Sequence, residues 1–356
     1  MVQRIIGGKS RGAAKPAQPP APATRSSITP PAVARIQVDE GSEGQRLDNF
    51  LIKLLKGVPK THVYRVIRSG EVRVNKGRAA ADTRLAIGDE VRVPPVRVAE
   101  RSDEVPVPAR EFPVVYEDEH LIAVDKPAGV AVHGGSGVSF GVIEQLRRAR
   151  PQAKFLELVH RLDKETSGLL LVAKKRSALT ALQDQFRSRE TGKTYAALVL
   201  GAWPANKKVI DVALHKFLTE EGERRVRTVD AVLRQAQDDR GLRQAQAGRR
   251  SITLVKVERK FKDFTLLDVT IKTGRTHQIR VHLTHEGHPI AGDAKYGDFA
   301  VNKALARGDA VPGQRFDRMF LHARLLRFEH PASGEVIELE SPLPAECQAL
   351  LSSLPP

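Results

Sequence analysis

The pattern of apolar and polar positions over residues 41–95 predicts two short helices followed by a hairpin. The first helix is marked by apolar residues at helical spacing, which are Leu47, Phe50, Leu51, Leu54 and Leu55. A second helix begins at Thr61 and ends at Gly70, because glycine readily takes the conformation that follows a helix C-terminus. Residues 71–74 then alternate charged and apolar side chains as a strand, and Asn75-Lys76-Gly77 turns it. This stretch therefore has the pattern of a small separate domain.

Strand-like apolar runs recur over residues 113–345 and predict a second, larger domain. The runs are Leu121–Val124, Leu169–Ala173, Tyr195–Leu200, Val255–Val257, Phe264–Ile271 and Leu325–Phe328. Helical patterns lie between some of them, at Ser177–Arg187 and Val281–Glu286. Several runs alternate apolar and polar residues, which indicates antiparallel pairing with one covered face. We therefore predict an α+β protein in which a small helix–helix–hairpin domain precedes a domain with a mixed, mainly antiparallel sheet.

The remaining segments have the composition of tails and connections. Residues 1–38 contain no acidic residue and are rich in proline and alanine, so we predict a disordered basic tail over residues 1–40. An organelle transit peptide has a similar composition and is the alternative. We predict a linker at residues 96–112 and a C-terminal tail at residues 346–356. Residues 233–250 contain Leu-Arg-Gln-Ala-Gln twice and are predicted to be a polar insertion between strands.

The excess of basic residues indicates a polyanionic partner. The chain has 356 residues and a net charge of +16, and residues 1–112 carry 20 Lys+Arg against 12 Asp+Glu. A solvated surface usually mixes both signs and needs no such excess, so the charge favours nucleic acid. The one cysteine, Cys347, excludes an intramolecular disulfide, and no apolar run is long enough to span a bilayer. We expect a cytoplasmic, monomeric protein without a membrane partner.

One segment of the larger domain has the composition of a reactive turn. The sequence His160-Arg161-Leu162-Asp163-Lys164-Glu165-Thr166-Ser167-Gly168 places a carboxylate beside an arginine and leads directly into the apolar run Leu169–Ala173. A tight polar turn beside a buried strand holds a side chain at a fixed point. The alternative interpretation is a turn at the start of a strand, in which the aspartate caps local backbone amides.

This segment resembles the signature loop of the RluA-type pseudouridine synthases, which isomerise uridine inside structured RNA. The larger domain is similar to that family in further blocks, which are Tyr116–Leu121 with Asp125–Gly129, Lys193–Tyr195, and Thr273–His282 with Gly287–Ile290 and Gly292–Gly297. The smaller domain, from Arg46-Leu47-Asp48 to Gly88-Asp89, resembles the alpha-L RNA-binding domain. The two domains in this order are similar to family members that act on the large ribosomal subunit.

The resemblance implies a pseudouridine-synthase catalytic domain and assigns roles to three residues. Asp163 is the nucleophile, Arg280 is its cationic partner, and Tyr195 offers a flat face for the uracil and a hydroxyl that can accept or relay a proton. A carboxylate suits this task because it is ionised at neutral pH, and a guanidinium offsets the cost of burying it. From the residues alone, Arg280 can also be a surface charge and Tyr195 a core tyrosine. The sequence leaves open whether the sugar or the base is attacked.

Further residues are predicted to bind the RNA substrate. By resemblance, Arg161 enters the stack that a flipped base leaves, with a phosphate clamp as the alternative, and Ile279 packs against the base. The predicted RNA-binding residues near the catalytic loop also include His160, Arg275 and His277. On the small domain they are the outward basic residues Lys53, Lys60, Arg65, Arg68, Arg73 and Lys76.

Together these features predict an isomerase that flips specific uridines out of large-subunit ribosomal RNA and converts them to pseudouridine during ribosome biogenesis. Isomerisation needs no redox partner or phosphate donor, and the sequence contains no Walker loop, Rossmann fingerprint or Cys-based metal cluster. The spacing of His277, His282, His285 and His288 does not match a zinc site, so we predict no cofactor and no metal. The alternative function is a catalytically inactive RNA-binding or ribosome-assembly factor with the same fold.

Overall fold

A computed structural model describes residues 32–55, 57–96, 107–135, 140–220, 223–230 and 248–356. Three predicted segments lie wholly or partly outside these ranges. These are the predicted tail (1–40), of which residues 1–31 lie outside, the predicted linker (96–112), of which 97–106 lie outside, and the predicted polar insertion (233–250), of which 233–247 lie outside.

The first domain contains two α-helices and a four-stranded sheet within the described residues. Its elements are β1 (Ala34–Gln37), a 3-10 turn (Glu40–Ser42), α1 (Leu47–Leu54), α2 (Lys60–Arg68), β2 (Arg73–Val74), β3 (Gly77–Arg78) and β4 (Glu90–Val93). The strands lie in the order β1-β4-β2-β3 and all pairs are antiparallel. Leu47 and Leu51 of α1 share one core with Val63 and Val66 of α2 and Val91 of β4. The predicted order of two helices and a hairpin is confirmed.

Strand β1 lies in the stretch that the composition assigned to the basic tail. Ile36 pairs with Val91 in antiparallel register, and Val38 is buried just beyond the strand. Residues 34–38 therefore belong to the first domain and not to the tail. The physical reason is that β4 has unpaired backbone groups along its outer edge, which an added strand satisfies.

The second domain combines a large sheet with helices on both of its faces. Its elements are β5 (Val114–Glu117), β6 (Leu121–Lys126), α3 (Val142–Ala149), β7 (Glu157–Leu158), β8 (Ser167–Ala173), α4 (Arg176–Ser188), β9 (Gly192–Leu200), β10 (Val209–Asp211), β11 (Leu214–Leu218), β12 (Arg224–Thr228), β13 (Ile252–Lys260), β14 (Phe264–Ile271), α5 (Gln278–His285), α6 (Phe299–Arg307), β15 (Leu321–Glu329), β16 (Val336–Glu340) and α7 (Ala345–Ser353).

Ten of these strands form one sheet within the described part of the chain. Its main path is β10-β13-β14-β9-β15-β8-β6-β5, with β7 paired to β8 and β16 paired to β15. The pair β8–β15 is parallel and the other pairs are antiparallel, so the predicted mixed, mainly antiparallel sheet is confirmed. Leu170 and Val172 of β8 face one core, whereas Leu169 and Leu171 face another that includes Leu179 of α4. A strand with both faces buried has this alternation.

The last helix, α7, occupies the segment that was predicted to be a C-terminal tail. Cys347, Leu350, Leu351 and Leu354 are buried in the same core as the sheet. These positions follow the i, i+3, i+4, i+7 spacing of one helix face. The segment that was predicted to be a tail therefore forms an amphipathic helix that packs its apolar face against the core. Phe112, at the end of the predicted linker, is buried in this core as well.

Asp118, in the turn between β5 and β6, makes the free energy of unfolding depend on pH in the acid range. Burial raises its pKa, but hydrogen bonds from the Leu121 and His120 amides and from the Tyr116 hydroxyl outweigh burial and lower the pKa to about 2. An unperturbed aspartate titrates at about 3.9, so the stabilisation is present above that pH and is lost as the pH falls toward the folded-state value.

We expect Asp118→Asn to lower the free energy of unfolding near neutral pH, with the difference from wild type shrinking below about pH 4. Urea unfolding followed by circular dichroism at several pH values measures this difference. A constant difference between the two proteins across the acid range would contradict the expected linkage.

Candidate active site

A cavity of about 520 Å³ opens beside the loop that connects β7 to β8. Five parts of the chain form its wall, and these are the loop at residues 160–166, the end of α4 at 186–189, the start of β9 at 193–195, the segment 271–280 that leads into α5, and Leu321 of β15. Ligand sites commonly have volumes of about 300–1,000 Å³. The size therefore fits one small molecule or one nucleotide.

The loop that carries Asp163 is fixed by buried groups on both sides of that residue. The ring of His160 accepts a hydrogen bond from the Leu171 amide at 3.1 Å. Lys126, which is fully buried, donates to the carbonyl oxygen of Lys164 at 3.1 Å. These contacts hold the loop without help from a ligand, so the Asp163 carboxylate has a defined position in the cavity wall.

Gly168 closes the loop in a conformation that requires glycine. Its φ is +109°, and a Cβ atom at this position would lie 2.3 Å from the carbonyl oxygen of Ala323. The absence of a side chain allows β15 to pair with β8 directly behind the loop. The glycine at the end of the sequence motif therefore serves the close approach of two strands.

Arg280 lies between two carboxylates and connects the catalytic loop to the turn after α5. Its Nη1 is 3.3 Å from Oδ2 of Asp163, and its Nε and Nη2 each donate to Asp293 at 2.7 Å. Burial lowers the pKa of Arg280, but the hydrogen bond and charge of Asp293, together with Asp163, outweigh burial and raise it. Asp293 also accepts from the Lys295 and Tyr296 amides. The guanidinium is therefore charged, fixed in orientation and directed at Asp163.

The three predicted catalytic residues line the same cavity. The Asp163 side chain is 27% exposed, so a ligand in the cavity can reach it. Tyr195 is buried on β9, and burial, followed by the charge of Asp163, raises its pKa well above the ordinary value. The Tyr195 hydroxyl is therefore protonated at neutral pH and suited to donate a hydrogen bond.

The residues predicted to bind RNA near the loop also line the cavity, but they differ in solvent exposure. Arg161 is exposed, Arg275 and His277 are half-buried, and Ile279 is buried. His160 differs because its ring stacks on Phe186 at 4.7 Å, and burial lowers its pKa to about 3. His160 is therefore neutral, and its ring nitrogen supports the loop.

Among the cavity residues that were not predicted as site residues are four at the end of α4 and the start of β9, namely Phe186, Arg187, Arg189 and Lys193. The Lys193 ammonium lies 5.0 Å from the Phe186 ring centre, and burial lowers the pKa of Lys193. Six lining residues are Lys or Arg, whereas Asp163 is the one carboxylate in the lining. The basic end of α4 was visible in the sequence, but its position beside the loop follows from the packing of α4 on the sheet.

Asp293 and Tyr296 were also not predicted as site residues, although both lie in a block that resembles the family. The Arg280 guanidinium lies 5.1 Å from the Tyr296 ring centre, and the Tyr296 hydroxyl is 2.8 Å from Nδ1 of His277. The acid and the tyrosine, three residues apart in one turn, therefore support two cavity side chains at once. Both residues could have been predicted from the sequence, because they lie in the block Gly292–Gly297.

The six basic residues predicted on the small domain fall into three groups by their contacts. Lys53 pairs with Glu157 at 3.1 Å and Arg65 pairs with Glu71 at 3.5 Å. Arg73 donates to the carbonyl oxygen of Lys76. Exposed basic side chains without a recorded carboxylate partner in the described part of the chain are Lys60, Arg68 and Lys76. The third group is the better placed to bind phosphate, because its side chains are exposed and their charge is not neutralised within the described part of the chain.

Within the described ranges, no cluster of three or more His, Cys, Asp or Glu side chains is arranged to hold a metal ion. Across the same residues, no helix combines the length and the apolar character needed to cross a membrane.

The arrangement can direct one fixed carboxylate at a ligand that carries negative charge. Cations surround the cavity and attract the ligand, Arg280 orients Asp163, and Tyr195 provides an aromatic face beside it. Such a site suits nucleophilic attack by a carboxylate on part of a nucleotide.

Comparison with family models identifies two domains. Residues 120–285 match the RNA pseudouridylate synthase model, and residues 45–91 match the S4 domain model.

Curated relatives match the chain over nearly their whole length. The chain is 47% identical over 330 residues to ribosomal large subunit pseudouridine synthase C of Escherichia coli (strain K12), a match that covers 91% of this chain and 97% of the relative. It is 48% identical over 331 residues to the Yersinia pestis protein of the same name, covering 91% and 96%. Among solved structures, human RNA pseudouridylate synthase domain containing 1 is similar with a TM-score of 0.53 and 25% identity, covering 72% of this chain and 91% of that chain.

Proposed function

Because the chain belongs to the RNA pseudouridylate synthase family, we propose that it isomerises specific uridines to pseudouridine in large-subunit ribosomal RNA. The observation that carries the proposal is the Asp163 carboxylate in a cation-lined cavity, 3.3 Å from the Arg280 guanidinium. The relatives named for this reaction on the large ribosomal subunit support the choice of substrate.

In the proposed reaction, Asp163 acts as the nucleophile on a uridine that has left the RNA stack, and the bond that its carboxylate forms with the nucleotide is broken again before the product leaves, which regenerates the carboxylate. The bond from N1 of uracil to C1′ of ribose breaks, and a bond from C5 of uracil to C1′ forms. The proton on C5 is released and N1 gains a proton, so the reaction is an isomerisation that needs no co-reactant. Arg280 keeps the carboxylate in position through its contact with Asp293 and stabilises charge near the reacting atoms.

The uridine must be extruded from folded RNA, which costs a few kcal/mol of unstacking. Arg161 lies at the exposed side of the cavity, where its planar guanidinium can fill the gap left by the base. Tyr195 and Ile279 provide a flat face and an apolar contact for the uracil. Arg187, Arg189 and Arg275 then contact the phosphates on either side of the target.

Mapping pseudouridine in large-subunit rRNA tests the proposed function. Ribosomal RNA from a strain without this gene is incubated with the purified protein, and pseudouridines are located by chemical modification and mass spectrometry. We expect new pseudouridine at defined positions with the wild-type protein and none with Asp163→Asn. Asp211→Asn is the matched control, because Asp211 pairs with Arg250 at 2.6 Å outside the cavity and should leave the reaction unchanged.

No new pseudouridine with the wild-type protein, on free rRNA or on assembling subunits, would refute the proposal and favour the catalytically inactive alternative. No specific observation favours that alternative. Asp163, Tyr195 and Arg280 line one cavity together, which an inactive RNA-binding factor does not need.

Affinity for RNA is expected to fall steeply with salt, because phosphate contacts release counterions. Replacing Lys60, Arg68 and Lys76 together by Gln should reduce the slope of log K against log salt by about one unit per lost phosphate contact. Fluorescence anisotropy with an rRNA fragment at several salt concentrations measures the slope. Arg35→Gln is the control, because Arg35 is already paired with Glu90 at 3.2 Å and should not change the slope. An unchanged slope in the triple variant would contradict the role of the small domain.

We further propose that the protein acts in the cytoplasm as a monomer. The relatives are bacterial proteins named for the ribosomal large subunit. The predicted catalytic residues Asp163, Tyr195 and Arg280 line one cavity of the same chain, an arrangement that suits a monomer.

A further inference from the structure

His277 is held in an uncommon backbone conformation at the edge of the cavity. Its φ of +51° lies in the left-handed region, which residues other than glycine rarely adopt. Helix α5 begins at the next residue, and the His277 ring lines the cavity. Backbone conformations of this kind are concentrated at functional sites.

Tyr296 contacts the nitrogen of the His277 ring that is not directed at Asp163. The Tyr296 hydroxyl accepts a hydrogen bond from the Val226 amide at 3.0 Å and lies 2.8 Å from Nδ1 of His277. Burial raises the pKa of Tyr296, so the phenol keeps its proton and, with the Val226 amide already donating to its oxygen, can donate that proton to Nδ1. Burial also lowers the pKa of His277, so the ring is neutral, and a proton on Nε2 suits the carboxylate of Asp163 that this nitrogen faces.

The Nε2 atom of His277 faces the same carboxylate oxygen that Arg280 contacts. It is 3.9 Å from Oδ2 of Asp163, which is beyond hydrogen-bond distance, whereas Nη1 of Arg280 is 3.3 Å from that oxygen. The His277 side chain is 15% exposed, on the cavity side. The Nε2 proton therefore remains available to an oxygen atom that is placed next to Asp163.

We propose that neutral His277 donates a hydrogen bond from Nε2 to an oxygen atom of the flipped nucleotide, and that Tyr296 is the positioning residue that fixes this tautomer. The inference rests on the proposed function, because it takes a uridine as the ligand. Uridine offers carbonyl oxygens on the base and hydroxyl oxygens on the ribose, and both are suitable acceptors. A preorganised donor acts most strongly on an oxygen that gains charge in the transition state, so the effect falls on kcat.

Two substitutions of His277 test the donor. Asparagine tolerates the left-handed backbone, so His277→Asn should fold normally, but its shorter amide does not reach the nucleotide. We expect kcat to fall about 10²-fold, the loss that follows removal of one preorganised donor, with KM for RNA unchanged. His277→Gln has a longer side chain that retains an N–H, and it should lose only about tenfold. Equal and full activity of both variants would overturn the proposal.

Tyr296→Phe tests the positioning role, because it keeps the ring beside Arg280 and removes only the hydroxyl. We expect kcat to fall about tenfold in the wild-type background and not to fall further in the His277→Asn background. A purely structural role would lower kcat by the same factor in both backgrounds and would overturn the proposal. The matched control is Tyr116→Phe, which removes a phenol that donates to Asp118 at 2.8 Å outside the cavity and should leave kcat unchanged.

The same assays separate this inference from the proposed function. A wild-type protein that forms no pseudouridine in rRNA would refute the proposed function itself. A wild-type protein with normal turnover beside an equally active His277→Asn variant would refute only the role of His277.

Discussion

Replacing Arg280 by methionine is expected to abolish measurable turnover and to lower the free energy of unfolding by about 3–5 kcal/mol, the usual cost of breaking a buried ion pair. Arg280 is 6% exposed and is shared by Asp163 and Asp293, at 3.3 Å and 2.7 Å. Without the guanidinium, the almost fully buried Asp293 loses its charge partner, and Asp163 loses the group that orients it. Urea unfolding and the rate of pseudouridine formation measure the two effects.

A lysine at position 280 separates charge from geometry. Arg280→Lys keeps the positive charge. A single ammonium group, however, cannot form the bidentate hydrogen bonds to Asp293 and also contact Asp163. We expect a smaller loss of stability than in the methionine variant, with turnover still reduced about 10²-fold. Arg324→Met is the control, because Arg324 pairs with Asp268 at 3.3 Å outside the cavity and should keep its turnover. Normal turnover in Arg280→Lys would show that the geometry of the pair is unimportant.

Replacing Asp163 by asparagine is expected to lower the rate of turnover by a factor on the order of 10⁴ or more, because the reaction loses its nucleophile. The fold should be retained, since Arg280 keeps its bidentate contact with Asp293 and the loop keeps its hydrogen bonds through His160. RNA affinity should be equal to wild type or slightly higher, because the variant removes the negative charge from a cation-lined cavity. Filter binding and thermal unfolding check these two expectations.

Loss of RNA binding or of folding in Asp163→Asn would mean that Asp163 supports structure rather than chemistry. Asp163→Glu provides a further comparison, because it keeps the carboxylate and moves it by one methylene. Its turnover should also be strongly reduced, since a displacement of about 1 Å from the productive geometry can cost about 10²-fold.

The sequence was sufficient to predict the order of the domains and a set of residues that the structure brings together in one cavity. Periodicity placed α1, α2 and the strands that frame the site, and the two-residue alternation of strands predicted a mainly antiparallel sheet. Asp163, Tyr195 and Arg280 were predicted by resemblance and line one cavity in the structure. They are far apart in the chain, and the neighbouring strand order β14-β9-β15-β8 is what brings their segments together.

Other features depend on packing that a local pattern does not contain. Strand β1 lies in a stretch of tail-like composition and is fixed only by its pairing with β4. The roles of Phe186 and Lys193 depend on the end of α4 lying against the catalytic loop. The tautomer of His277 depends on a hydroxyl 19 residues later in the chain and on an amide of β12. In contrast, the helical spacing in α7 was present in the sequence and could have been recognised.

Release of tritium from rRNA that carries uridine labelled at C5 is the most direct measurement of the proposed chemistry, because only formation of the new bond at C5 expels that atom. Under single-turnover conditions, wild-type protein is expected to release tritium in step with pseudouridine formation, and Asp163→Asn is expected to bind the RNA and release none. Tritium release by Asp163→Asn at the wild-type rate would contradict the assignment of Asp163 as the nucleophile.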